Sequence, residues 1–450
     1  MDSLTRLAKY DRLVPRYTSY PTAPHFSGAI TPNDYAAWLA ALPDDTGLSL
    51  YLHVPFCATL CRFCACHTTV VNRPEPLIAY TATLLAEIDL LARAIGRRLP
   101  VRHIHWGGGT PTALPPASMR AIMDRLRARF TIQSGAEIAV EIDPRTLTEE
   151  AVDTLAAMGT NRASLGVQDF DPAVQTAIGR HQSLDLTARC VSQLRAVGID
   201  SLNLDLICGL PYQTTAGVRD TVEQALSLRP DRVAIFGYAH VPWMKKHQAL
   251  IPDDALPGPL ARFDQRAMAE QTTQAAGYTP IGLDHFALPD DSLAMAASNG
   301  RLRRNFQGYT TDDAPVLIGL GASSIGSLPR GYVQNHAAVP AWRDAVRADT
   351  LPIARGIAMT AEDRLRRDVI EQIMCDFSTD LTATARRHGA EPGTLLDAEP
   401  ALRAMADDGL ITWDGSGLTV TPIGRPFVRN VAAAFDAWLQ PGTGRHSAAV

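Results

Sequence analysis

From residue 48 to residue 286 this 450-residue chain alternates short β-rich runs with longer helix-patterned runs, which restricts it to folds in which helices cross over between parallel strands. The strand candidates are Leu48–Val54, His103–Trp106, Glu137–Ile142, Arg162–Val167, Ser201–Leu206 and Arg232–Phe236, with a further candidate at Thr279–Asp284. Between them, Leu77–Ile95, Ser118–Phe130, Glu149–Met158, Leu184–Val197 and Ala216–Leu228 repeat apolar residues at three- and four-residue spacing. Periodicity alone leaves a doubly wound sheet open. Polar and glycine-rich motifs sit just after the strands, where barrels bind ligands, and this favours an α/β fold of the partial (β/α)6 barrel type.

The predicted organisation is an N-terminal arm over 1–47, a catalytic barrel with an extension over 48–350, and a C-terminal domain over 351–450. In the last, a helical run at Ala361–Asp376, a helical pair through Met405 and the hairpin pattern GLITWDGSGLTVTPIG predict a mainly helical, winged-helix-like module. Such modules often bind nucleic acid. Here the acidic residues Glu362, Asp363, Asp368, Asp376, Asp380, Asp407 and Asp408 argue against that, and covering the barrel mouth is the expected role. The last ten residues, PGTGRHSAAV, read as a loose tail.

A net charge of -5 gives no global basic field for nucleic acid. The polar, proline-interrupted N-terminus carries no signal-peptide pattern, and no run reaches about 18 apolar residues, so neither secretion nor a membrane span is expected. Four of the seven cysteines fall between Cys57 and Cys66, which is poor disulfide geometry and good metal geometry; a reducing cytoplasm is the consistent compartment.

Within HVPFCATLCRFCACHT, the thiols of Cys57, Cys61 and Cys64 follow the first strand at a spacing that can bring three soft ligands onto one cuboidal cluster. A structural zinc site is the plain alternative, but its fourth ligand would have to be Cys66 or His67, which are cramped against Cys64. A 4Fe-4S cluster on three thiolates leaves one iron open to a small chelating molecule. This motif resembles that of the radical S-adenosylmethionine enzymes. The resemblance implies that the open iron takes the amino and carboxylate groups of S-adenosylmethionine, whose one-electron cleavage gives methionine and a 5′-deoxyadenosyl radical.

HIHWGGGTPT, after the second strand, would alone be a tight strand-to-helix turn. Beside the cysteines it resembles a family motif whose backbone meets the amino group of S-adenosylmethionine, making Gly108, Gly109 and Thr110 cofactor candidates. Glu141, Gln168 and Asp205 each end a strand, where a polar residue either caps the next turn or faces the site. A carboxylate there suits ribose hydroxyls or an ammonium, and Arg180 could meet the methionine carboxylate with its two-donor fork.

The segments PRYTSYPTAPHF, HWGGGTPT, RASLGVQDFDPAVQTAIGRHQ, DLICGLPYQT and GLTVTPIGRPFVRN, with the cysteine run, resemble the oxygen-independent coproporphyrinogen III oxidases over nearly the whole chain. That resemblance implies conversion of the ring A and B propionates of coproporphyrinogen III to vinyl groups, giving protoporphyrinogen IX. It assigns Cys57, Cys61 and Cys64 to the cluster, makes Cys66 a fourth cysteine that is not a ligand, and puts Tyr51, His53 and Phe63 near the cluster, with Tyr51, His53 and Cys66 as catalytic candidates. It implies a second S-adenosylmethionine near Ala239, Gln307 and Ile325; core packing is the plain reading for Ala239 and Ile325. Arg12, Arg16, Lys245 and Lys246 are candidates to meet the propionates, or are solvated loop charges. A monomer with an unidentified electron donor and acceptor is implied. Ala65 and His67 depart from the family pattern around the fourth cysteine. The alternative, a haem-binding chaperone of the same superfamily, fits less well with the RYTSYPT arm and with Cys66. Cys190, Cys208 and Cys375 sit in apolar runs and read as packing residues.

Overall fold

The computed structural model describes residues 3–439; the expected loose tail lies outside them. Strand β1 (Leu48–Val54) buries Leu48, Leu50, Leu52 and Val54 on the face toward the helices, leaving Ser49, Tyr51 and His53 on the other. The same alternation runs through β2 (Pro100–Gly108), β3 (Thr131–Ile142), β4 (Arg162–Gln168), β5 (Ser201–Cys208) and β6 (Arg232–Gly237). Each strand pairs in parallel with the next in sequence. A doubly wound sheet would reverse its order part-way; this one does not.

The crossover helices begin and end on sequence signals. Thr148, Asp171, Ser183 and Thr214 cap helix N-termini with side-chain acceptors, and Gly96 and Gly159 end helices in the left-handed conformation. Their buried faces, such as Leu84 and Ile88 of Pro74–Ile95, pack on the sheet, each such side chain contributing about 1.5–3 kcal/mol relative to exposure.

The further strand predicted at Thr279–Asp284 is shorter and antiparallel. β7 (Thr279–Ile281) pairs with β8 (His285–Ala287), which pairs antiparallel with β6. Gly282–Asp284 lie between the two, and Gly282 adopts φ 54°. No helix follows β7 to carry it across the sheet. On the other side, β9 (Val316–Leu320) lies parallel to β1 and leads into antiparallel β10 (Ile325–Leu328), β11 (Gly331–Asn335) and β12 (Ile353–Ala358). The full order is β12-β11-β10-β9-β1-β2-β3-β4-β5-β6-β8-β7, with two free edges, so the barrel is partial.

The helix Ala361–Asp376 opens with a capping box between Thr360 and Asp363. A small antiparallel sheet of Ser378–Asp380, Ile411–Trp413 and Gly417–Val420 follows, the hairpin read from the sequence plus one strand. This domain packs against the N-terminal arm. Its core takes in Leu7, Tyr10, Tyr17 and Tyr20 of the N-terminal arm, and Cys375 joins a cluster with Ile281 and Tyr309 at the β7 edge. Arg429 Nε donates to Pro15 O (3.0 Å), Asn430 Nδ2 to Tyr10 O (2.9 Å) and Tyr17 OH to Asp436 (3.0 Å). Among the described residues no helix is long and apolar enough to cross a membrane.

Candidate functional site

The cysteine loop leaves the C-terminal end of β1 and is held from two sides. From β2 and its turn, Gly109 N donates to Val54 O (2.8 Å) and Thr110 N to Phe56 O (2.7 Å). From the loop after β6, Gln248 Nε2 donates to Phe63 O (2.7 Å), His247 Nε2 to Cys64 O (2.7 Å) and Lys245 Nζ to Cys66 O (2.8 Å). A Cβ on Gly109 would stand 2.5 Å from Phe56 O, and one on Gly108, at φ 114°, would stand 2.7 Å from the His53 ring. The glycines therefore admit the cysteine loop and His53, whereas the sequence alone suggested close approach to a ligand. The N–H groups of Gly108, Gly109 and Thr110 are all taken by protein acceptors, so what this turn offers an ammonium is carbonyl oxygen.

Cys61 is buried and receives Arg145 Nη2 at 3.3 Å and Arg180 Nη1 at 3.6 Å on its sulfur. Cationic donors aimed at one sulfur suit a thiolate ligand. Cys57 is half-buried, 3.6 Å from Thr110 Oγ1; burial pushes its thiol up to about 11. A hydrogen bond from solvent-facing Cys66 holds the Cys64 thiol below its ordinary value, assisted by the charges of His247 and Lys245. Among the described residues no three His, Cys, Asp or Glu side chains converge on a single ion, and the three thiolates of a cuboidal cluster bind different irons. His67 does not complete a zinc set: its Nε2 donates to Ala337 O at 2.7 Å. Three thiols on one loop with two guanidiniums on the buried one fit a cluster.

Below the loop, the barrel interior carries a connected polar network. Tyr51 OH donates to His53 Nδ1 (3.0 Å), and His53 Nε2 donates to His67 O (3.1 Å). Burial lowers the His53 pKa and so favours the neutral imidazole, in which Nδ1 accepts while Nε2 donates. His105 Nε2 and Gly108 N each meet the Glu141 carboxylate at 3.0 Å. Burial would push Glu141 up, but these two bonds outweigh it and hold the carboxyl below its usual range. Asp205 accepts from Ser164 (2.9 Å) and Asn203 (2.8 Å), yet burial keeps its pKa raised.

The structure thus gathers Tyr51, His53, Gly108 and Glu141 beneath the cysteine loop and Cys61 with Arg180 beside it. Arg180 departs from the expected fork toward a methionine carboxylate: its Nη2 binds Asp143 (3.1 Å) and Gly166 O (2.6 Å), leaving Nε buried and unpartnered. Gln168 ends β4 at φ 73°. Phe63 packs against Val174, Ile178 and Leu210. Ala239 offers its carbonyl to Gln248 Nε2 (3.3 Å), the Gln307 N–H binds Asn305 Oδ1 (2.9 Å), and Ile325 packs with Phe306 and Tyr332. Cys190, Cys208 and Cys375 are buried as expected. Residues that the sequence reading missed are Asp143, Arg145, His105, His247 and Gln248. Asp143-Pro144-Arg145 directly after β3, and the alternation of His103 and His105 on the interior face, were the available signals.

Residues 51–225 match the Radical SAM superfamily and residues 359–427 the HemN C-terminal domain. An oxygen-independent coproporphyrinogen III oxidase of Bradyrhizobium diazoefficiens is 53% identical over 97% of both chains, and one of Paracoccus denitrificans is 47% identical over 99% of both. This chain belongs to the oxygen-independent coproporphyrinogen III oxidase family. The family's fold agrees: coproporphyrinogen III oxidase (HemN) from Escherichia coli, a radical SAM enzyme, superposes with a TM-score of 0.90 at 36% identity, covering 95% of this chain and all of that one. Family membership carries with it the iron-sulfur cluster and S-adenosylmethionine of the radical SAM superfamily.

Proposed function

We propose that this chain performs the oxygen-independent oxidative decarboxylation of the ring A and B propionates of coproporphyrinogen III, giving protoporphyrinogen IX, as a monomer in a reducing cytoplasm. The observation that carries the reading is the Cys57, Cys61 and Cys64 loop at the C-terminal end of the barrel, with Arg145 and Arg180 on the Cys61 sulfur.

When bound on those thiolates, a 4Fe-4S cluster with S-adenosylmethionine supplies one-electron cleavage to a 5′-deoxyadenosyl radical. Each propionate then loses one hydrogen atom from its β-carbon, carbon dioxide and one electron, which leaves a vinyl group; the electron goes to an acceptor still to be identified. The chain's own work is to bind, orient and exclude water. Carbonyls of Gly108 and Gly109 would receive the amino group of the cofactor, and Glu141, Gln168 and Asp205 would take its remaining donors. The Arg180 Nε–H is the free donor beside Cys61. Tyr51 and His53 keep one proton between the phenol oxygen and Nδ1, and Cys66 faces solvent beside the cluster loop. A second S-adenosylmethionine would be held near Ala239, Gln307 and Ile325.

The test is anaerobic turnover with reconstituted protein, reductant, S-adenosylmethionine and coproporphyrinogen III. Protoporphyrinogen IX and 5′-deoxyadenosine appear together and both vanish in Cys61→Ser. Deoxyadenosine without decarboxylated porphyrinogen would overturn the assignment.

A further inference from the structure

A pocket of about 480 Å³ lies where the arm residues Tyr17–Tyr20, the segment 303–315 and the helix Ala361–Asp376 meet. Phe306, Tyr332 and Met359 give it apolar walls, and Arg303, Arg304, Arg364 and Arg367 also line it. The carboxylates at its rim are already engaged. Asp312 binds Ser49 Oγ and faces His103 (3.5 Å), Asp313 pairs with Arg102 (3.2 Å), and Asp368 pairs with Arg387 (3.2 Å) and His388 (3.0 Å). Glu371 accepts from the Arg304 backbone N–H at 3.3 Å.

Among the described residues, none of the four arginines has a carboxylate within ion-pairing distance. Arg364 Nη1 donates to Met359 O (2.9 Å), and Arg304 Nη2 donates to Arg16 O (3.2 Å) while its Nε and Nη1 have no partner. Arg304 stacks over the Tyr309 ring at 4.4 Å, and the charges of Asp284, Glu371 and Asp368 act on Arg304 and Arg367 from a distance, yet none of these four guanidinium forks is closed by a carboxylate. The guanidinium fork matches carboxylates, and the aromatic walls match an apolar ring skeleton that carries them.

The pocket also reaches the barrel. Leu317 of β9 and Ser327 of β10 line it and pair across those strands on the face opposite the helix-side residues Val316, Ile318 and Leu320. Phe306 shares an apolar cluster with Ile325. Asp312 meets Ser49 near the start of β1, whereas the cysteine loop leaves its end, so the two sites stand at opposite ends of a seven-residue strand, roughly 20 Å apart. We propose that this pocket docks the propionates the reaction leaves intact, so that a tetracarboxylate tetrapyrrole is held by its unreacted edge while its reacting edge lies in the barrel.

The proposal rests on the activity proposed above and adds a second set of cations to those expected from sequence, of which Arg16 and Lys245 each give a donor to the carbonyls of Gly237 and Cys66 (3.0 and 2.8 Å). The test uses cluster-loaded full-length protein and the stable oxidised ligand coproporphyrin III, read by fluorescence quenching, beside its tetramethyl ester. Arg364→Gln with Arg367→Gln is expected to weaken coproporphyrin binding at least about tenfold and to leave ester binding unchanged, with the Lys pair recovering part of the loss. The exposed Arg303→Gln gives the same reading should the double variant not fold. Equal coproporphyrin binding by wild type and folded variants, or no binding by wild type, overturns the proposal. Wild-type turnover with an unchanged KM in the variants overturns the pocket and leaves the activity standing. Arginine-dependent binding without any turnover keeps the pocket as a polycarboxylate site and overturns the activity.

Discussion

Two groups of arginines mark the two ends of the barrel, and they differ in what surrounds them. Beside the cysteines, Arg145 and Arg180 share Asp143, at 2.7 and 3.1 Å, and each points a further donor at Cys61. In the pocket at the far end, four arginines have no carboxylate within ion-pairing distance among the described residues, with Arg304 over the Tyr309 ring. A cation whose charge is balanced inside the protein positions a neighbour; a cation left unbalanced in a concavity awaits an anion from outside. Glu87 is a third case. It is a fully buried carboxylate that accepts from Gly321 N (2.7 Å), Asn335 Nδ2 (2.6 Å) and Trp342 Nε1 (3.1 Å), with no cation in contact, and burial pushes its pKa up to about 7.

The comparison breaks most visibly at Cys61, whose replacement by Ser should remove the cluster and all turnover, measured by iron content and product formation. Asp143→Asn strips the shared partner from two buried guanidiniums; it should cost about 3–5 kcal/mol in anaerobic urea unfolding, because uncompensated buried charge is the dominant loss. A much smaller loss would mean that the sulfur alone balances the arginines. At Glu87 the folded pKa lies above the unfolded value of 4.5, so its contribution to stability is fully present below pH 4.5 and disappears as pH rises through about 7. Relative to wild type, Glu87→Gln should flatten the stability profile in that window by about 3 kcal/mol, read from unfolding midpoints across pH. At the low end, Arg219 pairs with Asp220 (3.2 Å) on an exposed helix face, and Arg219→Ala should change stability by no more than about 0.5 kcal/mol.

Much of this molecule is legible from sequence where one residue type answers to one constraint. Strands β1 to β6 announce themselves because their helix-side residues are apolar at every second position, and Cys57, Cys61 and Cys64 because few other chemistries require that spacing. The strands from Val316 to Ala358 are less visible: they are short, interrupted by glycines, and after β9 antiparallel, beyond the stretch in which βα alternation can be read. Arg180 shows the limit at the site. Its charge is evident, but which carboxylate it meets depends on Asp143, from another strand end, so the sequence supports a cofactor partner as readily as a protein one. The pocket arginines escape for the same reason, since 303–304 and 364–367 meet only in the fold.

The docking of the N-terminal arm into the C-terminal domain sets a timetable for synthesis. Tyr17 and its partner Asp436 are 419 residues apart, and Tyr20 OH accepts from Ala437 N at 3.1 Å. A ribosome adding about 5–20 residues each second needs roughly 20–80 s to deliver the second contact after the first. The arm is thus made long before the residues that hold it, and the arm side of the propionate pocket is completed only after Asp436 and Ala437 have been added.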